Sequence, residues 1–248
     1  MLYIIQTALQ LGCVYSFVAL ALFLSYRILD IADLTTDGCF VLGMAVSVSC
    51  CAGGHPFAGV ILGMIAGGCA GCVTAILQTR LGVPSILAGI VTNTGLYTIN
   101  LMAMGWSSNI SLLKNETIFS LFKKTNTGGA WNAILLVGMI ALCAMVLMKW
   151  FLSTRLGLSI RATGDNRDMV SASSINPRFT ILVGLVVANM FTGLSGALAG
   201  QLQKSADINA GSGIVTIGLA TLIIGETLIQ GRKSIGRNIC ACLVGNIV

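Results

Sequence analysis

Apolar runs of about twenty residues recur along this chain, separated by short polar breaks. They cover residues 1–24, 34–51, 57–77, 83–104, 131–152, 179–200 and 214–229, and another begins at 239 and continues to the last residue. Runs of this length without strict alternation predict membrane-spanning helices rather than barrel strands. The expected fold is therefore all-α, a polytopic transmembrane helical bundle. It has about seven full spans plus a truncated eighth, in a single transmembrane domain over residues 1–248. Two longer polar interruptions, 105–130 and 153–178, are read as loops on opposite sides of the membrane.

The polar and small residues inside the runs carry more information than the apolar ones. In the run 57–77, Gly59, Gly63, Gly67 and Gly71 recur every four residues. Such a ridge exposes backbone and lets another helix approach closely, within the subunit or across a dimer. In the run 83–104, Asn93, Tyr97 and Asn100 fall at i, i+4 and i+7, one helical face. Polar groups in lipid need partners, so this stripe faces protein or water. Interhelical hydrogen bonding and the lining of a solute path both satisfy that demand. Asn189 and Thr192 in the run 179–200 are further candidates for the path. The run 34–51 is short and rich in Gly, Ser and Cys, so a bent or broken span is expected there. Asp30, Asp33 and Asp37 beside it are costly near lipid unless buried in protein or wetted.

The interruption 153–178 holds Arg155, Arg161, Arg167 and Arg178, a density of cations that marks a cytoplasmic loop. Within it, Asp165-Asn166-Arg167-Asp168 reads as a helix start. Asp165 is expected to cap the first turn and Asp168 to reach back as a capping-box partner. Pro177 suggests the stop. A short helix of about two to three turns follows, with Met169, Val170 and Ala172 as apolar contacts. It reads either as a docking device or as a solvated connector. The interruption 105–130 carries Ile118, Phe119, Leu121 and Phe122, the mark of an amphipathic surface segment, bracketed by Trp106 and Trp131 as interface anchors.

Charge sets an expected orientation. Alternating sides place Arg27, Arg80, Lys149, Arg155, Arg161, Arg167, Arg178, Arg232, Lys233 and Arg237 together, against Lys114, Lys123, Lys124 and Lys204. The first group is expected on the cytoplasmic side and the amino terminus outside. The net charge of +6 then reflects cations flanking spans, and nucleic acid is not an expected partner. With 56% hydrophobic and 9% charged residues, against about 25% charged in soluble domains, a soluble fold is excluded. The nine cysteines sit almost entirely in apolar sequence and read as packing residues. Cys69 and Cys72 are spaced as C-x-x-C, but no second pair or histidine stands at zinc spacing. The one histidine, His55, sits in a Gly-Gly-His-Pro turn. No G-x-x-x-x-G-K-[ST] occurs, so no phosphate-binding loop for ATP is expected, and no catalytic constellation stands out.

The stretch RATGDNRDMVSASSINPRFTILVGLVVANMFTGLSGALAGQ resembles the cytoplasmic loop and following helix of ABC importer permeases of the branched-chain amino-acid type. The resemblance lies in G-x-x-x-RA at Gly157–Ala162, a Met–Ala core, an Ile-Asn turn and an apolar span ending in SGALAGQ. LTTDGCFVLGM, ADINAGSG and GLATLIIGETL are similar to the less characterised branch of that family associated with aromatic amino acids. Ser174 departs from the pattern, where the family more often has Gly.

The resemblance implies a permease subunit without its own ATP site, moving an amino acid or similar small solute into the cell. It implies a separate ABC ATPase that uses ATP and Mg, and an extracellular or periplasmic solute-binding protein. A second permease subunit, as a homodimer, and membrane lipids complete the set. The ATPase would engage Arg161, Asp165, Asn166, Arg167, Asp168, Met169, Val170 and Ile175. No cofactor is expected on this chain. The competing reading is a passive channel or membrane scaffold protein without a nucleotide cycle.

Overall fold

The computed structural model describes residues 2–113, 115–125, 131–173, 175–229 and 235–247. Lys114, Gly128, Gly129, Ser174, Arg232 and Lys233, which entered the sequence reading, lie outside the described residues.

Helix α1 (Leu2–Leu22) runs on through a π-helical segment, Phe23–Ile28, that carries Arg27. Then come α2 (Thr36–Ala52), α3 (Pro56–Thr79) and α4 (Ser85–Ala103). A short strand β1 (Asn109–Ser111) and helix α5 (Ile118–Thr125) precede α6 (Trp131–Ser153). Two short helices, α7 (Arg155–Asp165) and α8 (Arg167–Ala172), lead into α9 (Pro177–Gln203). Strand β2 (Ser205–Asp207), α10 (Ile214–Leu228) and α11 (Ile235–Ile247) follow.

The expected all-α bundle is what forms. Among the described residues, α1 with its continuation, α3, α4, α6 and α9 are long and apolar enough to cross a membrane. Helices α2 and α10 are apolar but shorter.

The run 34–51 is not broken. Helix α2 is continuous, and it is short because it starts late. Its 17 residues span about 26 Å and the 24 of α3 about 36 Å. The two share the turn at Gly53–His55, so α2 stops roughly 10 Å short of the far end of α3. Residues 29–35 fill that gap as irregular backbone, tolerated at depth only where protein covers it. Leu29, Ile31, Asp33 and Thr35 are all buried. Helix α2 is buried on nearly every side, a central post rather than a lipid-facing span.

Around this post the glycine ridge of α3 packs inside the subunit, against α2 and α9. A Cβ on Gly59 would stand 2.8 Å from the Ser47 carbonyl oxygen, and one on Gly63 2.9 Å from that of Gly43. One on Gly71 would meet the Asn189 Cβ at 2.7 Å, and one on Gly67 would strike the Asn189 carbonyl. Gly43 of α2 and Gly193 of α9 complete the seam from the other side. No larger residue fits where three backbones come this close.

The two ends of the bundle differ. At one end β1 and β2 pair antiparallel, Asn109 opposite Asp207 and Ser111 opposite Ser205, which the sequence did not suggest. Helix α5 lies there, its Ile118 N–H donating to Gln201 Oε1 at 3.1 Å. Ile118 and Phe119 turn into the core, so the amphipathic segment is packed against the bundle as well as helical. The other end holds α7 and α8, together with Arg27, Arg80, Arg161, Arg167 and Arg178.

Candidate functional site

The polar stripe on α4 meets α2 and a chain segment from elsewhere in the sequence. Asn93, Thr94, Tyr97 and Asn100 of α4 line a cavity of about 320 Å³ with Asp37, Gly38 and Val41 of α2. Ile208, Asn209, Gly211 and Ser212, between β2 and α10, form its remaining wall. The sequence marks those residues only through the resemblance of ADINAGSG. They dip inward, bringing Gly211 against the Asp37 backbone, so α10 begins within the bundle.

Asp37 explains why the segment stays there. Gly213 precedes α10 with φ 84° and supplies no side-chain cap. The Asp37 carboxylate takes that role, accepting from the Val215 N–H at 2.9 Å and from the Gly213 N–H. An acid at a helix amino terminus satisfies free N–H groups and complements the helix dipole. Asp37 thus ties α2 to α10 across 178 residues of sequence.

Asn100 is 2% exposed. Its Nδ2 donates to the Gly38 carbonyl at 3.2 Å, while its Oδ1 has no partner. A buried amide acceptor left open costs about 1–3 kcal/mol. Tyr97 is about half exposed and brings a ring and a hydroxyl to the mouth. Among the described residues no cation lines the cavity. Its chemistry is amide, hydroxyl, phenol and one capped carboxylate, suited to neutral or amphoteric polar solutes.

Asn189 and Thr192 lie elsewhere. Both are buried, Asn189 in the seam against α3, and neither lines the cavity. Asn189 Nδ2 donates to Asp33 Oδ2 at 2.7 Å and to the Leu185 carbonyl at 3.0 Å. Asp33 Oδ1 accepts from the Thr35 N–H at 2.9 Å, and the Thr35 hydroxyl meets that of Thr74 at 2.8 Å. Burial within protein is therefore how Asp33 is tolerated.

Residues 153–178 form more helix than expected, and the cap is not Asp165. Thr154 caps α7, accepting from the Gly157 N–H at 3.2 Å, and Asp165 is the last residue of that helix. The next residue, Asn166, is extended (φ −159°, ψ 107°), which frees its side chain to turn back. Its Oδ1 accepts from Asp168 N and Met169 N, both at 3.0 Å, and so caps α8. Asp168 does not take the capping-box role expected of it: with Asn166 as the cap it stands at the second helical position, one short of the box, and donates its own N–H to that cap. Met169 projects outward and is mostly exposed, whereas Val170 is buried against the bundle. Ile175 is half-buried, its N–H bonded to the Val170 carbonyl at 3.3 Å. Arg161 is half-buried, while Asp165, Asn166, Arg167 and Asp168 are exposed. The Thr163 and Thr180 hydroxyls, 2.8 Å apart, fasten α7 to the first turn of α9.

Among the described residues no group of three His, Cys, Asp or Glu side chains could hold a metal ion. Cys69 and Cys72 are free thiols on α3.

The chain is 32% identical over 236 residues to the tyrosine transport system permease protein of Clostridioides difficile, covering 95% of this chain and 77% of that one. It is 33% identical over 248 residues to the uncharacterized protein RP368 of Rickettsia prowazekii, covering 98% and 85%. It is 30% identical over 220 residues to the D-allose transport system permease protein AlsC of Escherichia coli, covering 87% and 64%. No solved structure matches the chain. The family described as branched-chain amino acid transport system / permease component matches residues 4–248. The chain belongs to that family of ABC transporter permeases and is a multi-pass protein of the inner membrane.

Proposed function

We propose that this chain is the membrane-spanning half of an ABC importer that passes an amino acid or similar small polar solute inward. A binding protein delivers the solute at the end carrying β1 and β2. A separate ATPase, the site of ATP and Mg, engages α7 and α8 at the arginine-rich end, and a second copy of the chain completes the path. The observation that carries this reading is the convergence of Asn93, Tyr97 and Asn100 with Asp37 and residues 208–212 on one cavity free of cations. An amphoteric solute finds the half-buried amide of Asn93 there and the ring and hydroxyl of Tyr97. The relative named for tyrosine transport favours an amino acid, and the relative named for D-allose keeps polyhydroxylated solutes as the competing class.

Force has a continuous route. Helix α8 joins α7, α7 is fastened to α9 through Thr163 and Thr180, and α9 packs against α2, which forms one wall of the cavity. A tilt of α7 and α8 imposed from below is therefore transmitted to Asp37 and Gly38 through packed backbone rather than through a loop. Met169, the exposed apolar side chain of α8, is the contact that a partner groove would grip.

The test is co-purification of the ATPase with wild-type and Met169→Asp permease, with hydrolysis measured with and without binding protein. We expect the variant to stay in the membrane, while ATPase association falls at least tenfold, the scale of a hot-spot loss. Unchanged association and unchanged hydrolysis would overturn the coupling role. Solute flux through the purified chain without nucleotide would instead favour a passive channel.

A further inference from the structure

A second polar cleft lies at the arginine-rich end, away from the solute cavity. It encloses about 360 Å³ between the α3–α4 turn and the starts of α8 and α9. Three kinds of donor converge on it. Arg167, the first residue of α8, and Arg178, in the first turn of α9, both line it. Neither forms an ion pair with a described residue. Gln78, near the end of α3, also lines it, and its Nε2 is buried without a partner. Pro84 and Ser85 open α4 on the same cleft, and Pro84 gives that helix no side-chain cap. The first N–H groups of a helix have no acceptor within it, and the positive end of its dipole lies there.

Two guanidinium groups, an unpaired amide donor and an uncapped helix start define an anion site. Among the described residues no acidic side chain lines it. What surrounds it narrows the choice of anion. Leu81, Ile86 and Leu87 stand beside the cleft on the α3–α4 turn and the first turn of α4, all more than half exposed, on helices that cross the membrane. Apolar side chains beside a cationic pocket at the end of two spans match a lipid, with acyl chains on the first and a phosphate in the second. We infer that this cleft binds the phosphate of an anionic phospholipid headgroup and so braces the start of α8 against the base of α4.

The consequence is mechanical. Helix α4 carries Asn93, Tyr97 and Asn100, and α8 carries Met169. A lipid phosphate held by Arg167 of α8 and by the free N–H groups at the start of α4, with Arg178 of α9 and Gln78 of α3 beside them, ties these elements together at one point. Anionic lipid then sets how firmly α8 is held. This inference does not depend on which solute is carried, nor on the ATPase contact at Met169.

Native mass spectrometry of the purified chain in nonionic detergent tests it, with phosphatidylglycerol titrated against phosphatidylcholine of the same chain length. We expect retention of phosphatidylglycerol over phosphatidylcholine. Arg178→Gln should weaken phosphatidylglycerol about tenfold, and Arg167→Gln with Arg178→Gln about a hundredfold, as charge-assisted contacts are removed. Gln78→Leu should weaken it by a smaller factor. Arg80→Gln, beside the cleft but outside its lining, should change little, which separates a built site from general attraction to basic residues. A thermal melt of each variant without lipid establishes that it is folded. Equal retention by wild type and the double variant would overturn the site. Equal stabilisation by inorganic phosphate would make the ligand a soluble phosphate and overturn the lipid assignment. Displacement of phosphatidylglycerol by the ATPase subunit would assign the cleft to an acidic protein side chain instead.

Discussion

Helix α2 has two faces, and they obey different rules. Towards α3 and α9 it presents Gly43 and Ser47 to a seam in which backbone meets backbone. Towards α4 and residues 208–212 it presents Asp37 and Gly38 to an open polar cavity. The seam has no room for a methyl group, and there Asn189 Nδ2 donates to Asp33 while Asn189 Oδ1 has no partner among the described residues. The cavity has room to spare and is lined by the polar side chains of α4. A close-packed wall behind an open polar mouth is the arrangement a carrier needs. The wall keeps geometry while solute, water and neighbouring helices exchange partners on the other side.

The sharpest way to break the contrast is to put bulk in the seam. Gly67→Leu should remove most of the protein from the membrane, since the side chain collides with the Asn189 carbonyl and the backbone at Gly193. Overpacking costs about 1–3 kcal/mol in forgiving cores, and backbone contacts give less room to adjust. Gly63→Leu should behave alike, and the double variant should be worse. Gly95→Leu on α4, where a Cβ would meet nothing within 4 Å, should leave abundance unchanged. Quantitative immunoblotting of membrane fractions decides this.

Next in size is the polar pair within the seam. Asn189→Leu leaves Asp33 Oδ2 without its amide donor, at a cost of about 1–3 kcal/mol for a buried acceptor left unpaired. Uptake and abundance should fall together, because Asn189 does not line the cavity. If uptake falls at full abundance, Asn189 acts on the solute and the division between seam and mouth is wrong.

On the cavity side the two quantities should separate. Asn93→Ala should alter uptake several-fold at wild-type abundance, since Asn93 is only half-buried and lines the cavity. Asn100→Ala removes the bond to the Gly38 carbonyl and should lower abundance modestly, by about 1 kcal/mol of stability, as well as uptake. Uptake of radiolabelled solute, normalised to protein in the membrane, measures both.

These two regions were unequally legible in the sequence. The glycine ridge could be read because it depends on one helix and its own period of four. That it packs inside the subunit could not, because its partners, Gly43 and Gly193, lie 150 residues apart in sequence. The stripe of Asn93, Tyr97 and Asn100 could be read for the same reason. The opposite wall could not, because residues 208–212 look like any polar turn until Asp37 anchors α10. Asn189 and Thr192 looked like path residues because polar groups in a span invite that reading. Asp33 makes a second explanation available for Asn189, through a contact across 156 residues. At the arginine-rich end the cap fell one residue from its expected place. Asp165 and Asn166 are both good caps by type, and only the backbone conformation decides between them.

The smallest expected effect is the most informative about Asp37, which belongs to both faces of the comparison. Its carboxylate lines the cavity and also caps α10 through Val215 and Gly213. Asp37→Ala removes the cap and should cost about 1 kcal/mol, lowering abundance and loosening residues 208–213. Asp37→Asn keeps a side-chain oxygen in the same place and loses only the charge. Asn caps helices about as well as Asp, so the remaining loss is the interaction of charge with the helix dipole, about 0.3–1 kcal/mol. Abundance of Asp37→Asn should therefore lie near wild type and clearly above Asp37→Ala. Uptake should follow abundance in both variants, because two backbone N–H groups already engage the carboxylate and leave the solute to Asn93 and Tyr97. If Asp37→Asn instead abolishes uptake at wild-type abundance, the negative charge acts on the solute itself. The cavity would then be a site for a cationic group, and α10 would be held by an acid whose first role is transport.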